Sequence, residues 1–166
     1  DSDSATVTVS VGALPVVSIG DATVTEGAAA TLTVTPSPAS GQPVTVQYAT
    51  SDGTATAGAD YTTASATLTF AANQTTQTIT VPTTADTLAE PDETVNVTLS
   101  NPTNATIGDG AGVVTITDDD PTPTLSVGDV TVAEGNTGTT NAVFTVALSA
   151  VSGRQVTVNF ATSNGT

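Results

Sequence analysis

The segment Thr94-Val95-Asn96-Val97-Thr98-Leu99 decides the fold class, because polar and apolar residues alternate along it with a period of two. Successive side chains of a β-strand point to opposite faces of a sheet, so the alternation predicts a strand with one buried and one solvated face. The same pattern recurs at 31–35, 44–48, 66–70, 78–81 and 114–117.

These segments, together with an opening strand at 17–24, make about seven strands within roughly 100 residues, separated by turns rich in Gly, Pro, Asp and Asn. The pattern predicts an all-β chain folded as an antiparallel β-sandwich. Composition agrees, because only 3% of residues are aromatic and Met, Trp and Cys are absent. A core built from Val, Ile, Leu and Ala suits the pleated surface of a sheet.

The chain also repeats itself. Residues 16–27 return in similar form as 124–135, and residues 41–54 return as 153–166. Self-similarity at such a spacing indicates a tandem array of structural units. The second copy has about four extra residues between its two matching segments, since the offset grows from 108 to 112 residues.

The repeat boundaries follow from a third similarity. Residues 5–10 resemble 112–117, which form the final predicted strand of a repeat. We therefore expect 1–14 to be the C-terminal strand of a preceding repeat. Residues 15–120 are then one complete repeat, and 121–166 are the N-terminal half of the next.

The charge balance excludes several classes of partner. The chain has 16 acidic residues and one basic residue, Arg154, and its net charge is −15. Nucleic acids and anionic membranes require a basic surface, so neither is expected as a partner, and no apolar run is long enough to span a bilayer.

The side chains present also limit the chemistry of a metal site. Because the chain has no His or Cys, metal ligands must be oxygen atoms, which favours Ca²⁺ or Mg²⁺. With no recognisable nucleophile and no general base of the His type, we expect no enzymatic activity.

The acids are concentrated in four short motifs at predicted strand ends or loops. Their members are Glu26, Asp60, Asp86, Glu90, Glu93, Asp118, Asp119 and Asp120. Each motif alone is typical of a solvated turn or a charged loop. Their joint occurrence in a chain of which only 10% is charged favours a shared site. Alternate connections of a sandwich lie at the same end, so the four motifs are candidates for convergence.

These motifs carry a family resemblance. Four strings are concerned: VTEG at 24–27, YATSDGTATAGADY at 48–61, AEPDETVNVTLSN at 89–101 and VVTITDDD at 113–120. Together they resemble the Calx-beta domain, over 15–120 in full and over the flanks in part. The resemblance implies a seven-stranded immunoglobulin-like β-sandwich in tandem repeats, with several Ca²⁺ ions bound at one tip.

The resemblance also implies a ligand set and a departure from it. The implied Ca²⁺ ligands are the carboxylates of Glu26, Asp60, Asp86, Glu90, Glu93, Asp118, Asp119 and Asp120, with the Leu88 carbonyl as a further candidate. Calcium sensors of this family carry another Asp where this chain has Ala85, so one ion position is expected to be missing or weaker. Residues 11–14 lack the Asp triplet expected at the end of the preceding repeat.

The expected function is a calcium-binding structural or adhesive module of an extracellular or cell-surface tandem array. Ca²⁺ would rigidify the loop tip and the inter-repeat junction. The expected partners are neighbouring repeats of the same protein, with self-assembly into a fibre or a cell-surface array. The alternative is a metal-independent filament subunit assembled by inter-repeat or strand-complementation contacts. A sugar-binding module has little support, because most of the five aromatic residues fall at core spacing.

Overall fold

The computed structural model of the chain describes residues 12–165. The predicted strand at 5–10 lies outside the described residues. Within the described range the regular secondary structure consists of β-strands. That range has no helix of the length and apolar character that crossing a membrane requires.

The complete repeat contains nine strand segments. They are β1 (Val16–Ile19), β2 (Ala22–Thr25), β3 (Ala29–Ser37), β4 (Val44–Asp52), β5 (Ser65–Phe70), β6 (Gln77–Pro82), β7 (Glu93–Thr103), β8 (Thr106–Asp109) and β9 (Ala111–Thr117). One sheet has the strand order β6-β3-β1-β8, and the other has the order β2-β9-β7-β4-β5.

The core lies between these two sheets and is made of small aliphatic side chains. Leu32 and Val34 of one sheet and Val95 and Val97 of the other are fully buried. Their polar neighbours Thr31, Thr33, Asn96 and Thr98 are exposed, and Thr35 and Thr94 are half-buried. The predicted β-sandwich is therefore confirmed, and the alternation with a period of two sets which side of each strand is buried.

The opening strand differs from the prediction, because it divides between the two sheets. β1 pairs with β3 and β8, whereas β2 crosses over and pairs in parallel with β9. The break falls at Gly20 and Asp21. The Gly20 N–H donates to the Thr33 carbonyl at 3.0 Å, and Asp21 Oδ1 accepts from the Val113 N–H at 2.8 Å. Together with the unpredicted strand β8, this switch explains why two strand pairs are parallel in an otherwise antiparallel sandwich.

The part of the next repeat that the chain contains is only sparsely paired. β10 (Leu125–Val127) and β11 (Val146–Leu148) form a two-stranded antiparallel sheet. Residues 156–160, the counterpart of β4, form no strand, and Phe144 and Phe160 are exposed, so the expected core spacing of these two aromatics does not lead to burial. In the complete repeat β4 lies between β5 and β7, which have no counterparts among residues 121–165.

A buried tyrosine organises the long loop after β4. Tyr61 is fully buried, and its hydroxyl donates to Asp52 Oδ1 at 2.8 Å. The same carboxylate oxygen accepts from the Ala57 N–H at 3.0 Å. Burial, followed by the hydrogen bond to Asp52, raises the pKa of Tyr61 to about 12. The phenol therefore stays protonated and fixes the 52–61 loop against the core.

Replacing Tyr61 by Phe is expected to lower the free energy of unfolding by about 1.5 kcal/mol, because the hydroxyl that donates to the charged Asp52 acceptor is removed. Urea unfolding of both proteins in the absence of metal measures the difference. Tyr48→Phe is the matched control, since Tyr48 is only half-buried. An equal or smaller loss in Tyr61→Phe than in Tyr48→Phe would contradict the assigned role.

Candidate metal centre

The parallel pairing of β2 with β9 places two of the acidic motifs side by side. Thr25 and Thr117 are partners in the register and are the last residues of their strands. The next residues, Glu26 and Asp118, therefore emerge together, and the Glu26 N–H donates to the Thr117 carbonyl at 3.1 Å. Strand register, and not attraction between the side chains, brings these two carboxylates to one end of the sandwich.

Antiparallel pairing brings a third motif to the same end. β7 begins at Glu93, which is paired with Ile116 near the end of β9. The loop before β7 carries Asp86 and Glu90, so the two ends of this connection are anchored by β6 and β7. Glu93 and Glu90 thus lie next to the β2 and β9 termini.

Asp60 joins this end because its loop is closed by hydrogen bonds. Asp60 Oδ2 accepts from the Thr56 N–H at 2.6 Å, and the Asp60 N–H donates to the Thr56 carbonyl at 3.0 Å. The Asp60 carbonyl accepts from the Thr84 N–H at 2.8 Å. The last contact ties the 52–61 loop to the loop between β6 and β7.

The converging carboxylates form two triads. The first triad consists of Glu26, Asp118 and Asp120, and the second consists of Asp60, Glu90 and Glu93. Within each triad, one carboxylate oxygen of each residue lies within 4.8 Å of one such oxygen of the other two. Both triads contribute to the lining of one cleft, which also includes Asp86. The Asp86 N–H donates to Glu26 Oε1 at 3.2 Å, which links the loop of the second triad to the first.

A close backbone approach holds the Glu26 turn against the β6–β7 loop. Gly27 has a φ of +75°, and a Cβ at this position would lie 2.7 Å from the Cβ of Ala85. Only glycine combines that conformation with that space. Ala85, at the position where the resemblance implies an Asp, therefore packs its methyl group against Gly27.

Burial, reinforced by the charges of neighbouring acids, raises the pKa of four carboxyl groups in the cluster. Burial, followed by the charge of Asp60 and a hydrogen bond with it, raises the pKa of Glu93 to about 7. Burial and then the neighbouring carboxylates raise the pKa of Glu90, and burial has the same effect on Glu26. The pKa of Asp120 is also raised, by burial and by the charges of Asp118 and Asp119. All four shifts are upward, because burial and neighbouring negative charge both disfavour the ionised form of a carboxyl group.

Two carboxylate oxygens in the first triad are buried without a hydrogen-bond partner. These are Asp118 Oδ1 and Asp120 Oδ2. The Asp118 side chain is only 9% exposed. A buried carboxylate oxygen without a partner is costly, and a bound cation removes that cost. The donor set consists of oxygen alone, so the residues present fit a hard cation such as Ca²⁺.

Most of the predicted site residues are brought together, and two are not. Glu26, Asp60, Asp86, Glu90, Glu93, Asp118 and Asp120 line the cleft or belong to its two triads. Leu88 lies in the same loop, where its N–H donates to Asp86 Oδ1 at 2.7 Å. Asp119 is exposed and belongs to neither triad. The predicted ligand roles of Leu88 and Asp119 stay predictions.

Sequence reasoning missed two residues beside the first triad. Asp92 Oδ1 accepts from the Asp118 N–H at 3.4 Å, and Arg154 Nη2 lies 3.5 Å from Asp118 Oδ2. Asp92 belongs to the same acidic motif as Glu90 and Glu93, so the sequence could have named it as a further candidate. Arg154 stood out as the only basic residue, but its approach to Asp118 depends on how two repeats meet.

Comparison with known structures supports this fold. The chain is 23% identical to a structure described as the apo-form Calx CBD1 domain, with a TM-score of 0.61, and the match covers 65% of this chain and 100% of that one. It is 28% identical to CBD12 from CALX1.2, with a TM-score of 0.60 and coverage of 63% of this chain and 45% of the other.

A third structure is described as the calcium binding domain CBD12 of CALX1.1. The identity is 25% and the TM-score 0.60, and the match covers 69% of this chain and 50% of that one. This chain thus spans about half the length of the CBD12 structures. No curated protein matches the chain.

The family comparison agrees with the motifs and with the sandwich. The family model described as the Calx-beta domain matches residues 15–120 and again residues 117–166. The two matches are consistent with tandem repeats, whereas the boundaries of the repeats stay predictions. The chain belongs to the Calx-beta domain family.

Proposed function

We propose that the complete repeat is a Ca²⁺-binding module whose two carboxylate triads hold the metal. The observation that carries the proposal is the pair of buried oxygens without partners, Asp118 Oδ1 and Asp120 Oδ2, inside a cluster of like charges. Such oxygens need a cation or a proton. The description of the related CBD12 structure as a calcium binding domain supports the choice of metal.

The chemistry of the donors favours Ca²⁺ over other ions. Ca²⁺ accepts about six to eight oxygen ligands in flexible geometry, and carboxylates bind it through one or both oxygens. Each triad supplies three carboxylates, and Asp86 lies in the same cleft. Mg²⁺ demands a near-octahedral arrangement and keeps several waters, which suits a dense carboxylate cluster less well.

Metal binding would act first on the loops of the tip. Without metal, repulsion among the triads opposes the approach of the Glu26 turn, the 52–61 loop and the β6–β7 loop. Bound Ca²⁺ supplies positive charge between them and stabilises the folded state by mass action. The backbone contacts from Thr84 and Asp86 to the other two loops already hold the three loops in place.

The same binding would stiffen the junction between repeats. Asp118 and Asp120 follow β9 directly, and Pro121 and Pro123 come next in the chain. A metal ion that holds these two carboxylates restrains the backbone that leads into the next repeat. We therefore propose a structural or adhesive role in an extracellular or cell-surface tandem array, with neighbouring repeats as partners and a fibre as the assembled form.

One observation favours the alternative of a metal-independent filament subunit. Apolar side chains between residues 125 and 160 are exposed, among them Phe144, Val151 and Phe160, the last at 93%. Large apolar side chains exposed in such number favour a surface that another chain covers. Sedimentation in chelator distinguishes the two: concentration-dependent assembly without Ca²⁺ supports the filament subunit, and a monomer that responds to Ca²⁺ supports the calcium module.

Calorimetric titration of the metal-free chain with Ca²⁺ is expected to show saturable binding. Asp118→Asn is expected to weaken that binding by about tenfold or more, since a buried charged ligand is lost. Asp109→Asn is the control, because Asp109 is exposed and lies beyond the opposite end of β9. Equal binding by the two variants would contradict the assignment of the first triad.

The pKa of Glu93 predicts how the metal-free protein responds to pH. Because that pKa is about 7 when folded against an ordinary value of 4.5, the folded chain binds more protons than the unfolded chain between these values. The stabilising effect is complete below pH 4.5 and is lost as the pH rises through 7. The melting temperature in chelator should therefore fall from pH 5 to pH 7.5.

The control for this pH response is Glu93→Gln, which is expected to flatten the fall in melting temperature. Saturating Ca²⁺ should reduce the fall in the unsubstituted chain, because the metal requires the deprotonated carboxylates. A melting temperature that rises over the same interval in chelator, or a Glu93→Gln variant with an unchanged slope, would contradict the electrostatic account of the tip.

The proposed stiffening of the junction can be tested by measuring the distribution of distances across it. Dyes placed at Gln42 and Ser149, after substitution of both by Cys, lie on the complete repeat and on the following repeat, on either side of the junction. Single-molecule energy transfer is expected to show a narrower distance distribution with Ca²⁺ than with chelator. A dye pair at 42 and 74, within the complete repeat, serves as the control. Identical distributions for the first pair in both conditions would contradict the stiffening.

A further inference from the structure

A loop of the following repeat lies directly against the metal-site loop of the complete repeat. The Gly153 N–H donates to the Ala89 carbonyl at 3.1 Å, and Ala89 and Ser152 form an isolated parallel bridge. The Arg154 N–H donates to Ser152 Oγ at 3.1 Å, which shapes the loop itself. The contact is therefore made by backbone groups, in a fixed register, and not by side chains alone.

Gly153 allows this approach. A Cβ at position 153 would lie 2.6 Å from Glu90 Cγ and 2.7 Å from Glu90 Oε1. Any larger residue would displace the Glu90 side chain, which belongs to the second triad. The loop thus reaches the site itself and does not merely cover its rim.

The approach places the guanidinium of Arg154 among the site's oxygens. Arg154 Nη2 donates to the Glu90 carbonyl and lies 3.5 Å from Asp118 Oδ2. The other oxygen of the same carboxylate, Asp118 Oδ1, is buried without a partner. Arg154 is the only basic side chain in a chain with 16 acidic residues. The single positive side chain thus contacts the carboxylate cluster, from a different repeat.

We propose that Arg154 is a built-in counter-ion of the calcium site, supplied by the following repeat, and that it competes with Ca²⁺ and lowers the affinity of the site. The inference rests on the proposed calcium-binding function. It goes beyond that function by naming a residue outside the carboxylate cluster, and outside the repeat that contains it, as a determinant of affinity.

The sign of the effect follows from charge. At low calcium the guanidinium offsets part of the repulsion around Asp118, so the contact between repeats is favoured. Ca²⁺ brought to the same carboxylate meets an existing positive charge and, once bound, reduces the attraction for Arg154. Coupling between two ligands of one site is reciprocal, so Arg154 must weaken Ca²⁺ binding as much as Ca²⁺ weakens the Arg154 contact.

The competition changes what holds the junction. At low calcium the junction is held by Arg154 and by the backbone contacts of Ser152 and Gly153. At high calcium it is held by the metal through the carboxylates that precede Pro121. The following repeat thereby tunes the calcium concentration at which the change occurs.

The test is a calorimetric Ca²⁺ titration of the full chain and of Arg154→Gln. Arg154→Gln is expected to bind Ca²⁺ with a dissociation constant about fivefold lower than that of the unsubstituted chain. This is the weak end of the usual range of coupling between sites, because the Arg154 side chain is 46% exposed. The difference is expected to shrink as salt rises, since exposed charges are screened over about 8 Å at physiological ionic strength. Arg154→Lys should restore part of the wild-type value.

Gln42→Glu is the matched control. It also makes the net charge more negative by one unit, but Gln42 is exposed and lies between β3 and β4, at the other end of the sandwich. Its dissociation constant should stay close to that of the unsubstituted chain. An equal gain in both variants would assign the effect to net charge and overturn the proposal.

A second readout separates a counter-ion from a simple structural contact. In chelator, Arg154→Gln is expected to melt below the unsubstituted chain, and in saturating Ca²⁺ the gap should close. Unchanged or weaker Ca²⁺ binding by Arg154→Gln overturns this inference alone. Absence of Ca²⁺ binding by the unsubstituted chain overturns the proposed function, so the two failures are distinguishable.

Discussion

Repulsion among carboxylates at one end of the sandwich is the constraint on which the rest of the structure depends. Strand register forces the convergence, since Thr25 pairs with Thr117 and the next residue of each strand is an acid. Three features of the structure reduce this repulsion. The pKa of Glu93 rises, Asp86 offers a backbone N–H to Glu26, and Arg154 approaches from the following repeat. Two oxygens remain buried without a partner, and the proposed Ca²⁺ would supply one.

A thin aliphatic core and a set of backbone hydrogen bonds oppose this repulsion. The two sheets bury small branched side chains such as Val34, Val95 and Val97, and the loops at the acidic end are fixed by backbone hydrogen bonds together with the buried phenol of Tyr61. The stability of the tip therefore rests on contacts that do not need the metal, while its charge balance does.

Alternation along single strands was enough to predict the sandwich, because side-chain direction in a strand is a local property. Seven of the predicted carboxylates meet for a different reason, since sheet topology and the hydrogen bonds of the loops bring them to one end of the sandwich. The switch at Gly20 and Asp21 was not predictable, because it depends on which sheet each half of the strand joins. Asp92 and Arg154 were missed because their roles arise from contacts across loops and across repeats.

The most direct test of the central claim is a crystal structure of the chain grown with Ca²⁺ and read by anomalous scattering. The account predicts an ion at each triad, with Asp118 Oδ1 and Asp120 Oδ2 among the oxygens bound to the first. Intact triads without an ion at millimolar Ca²⁺, with those two oxygens hydrogen-bonded to water, would contradict it.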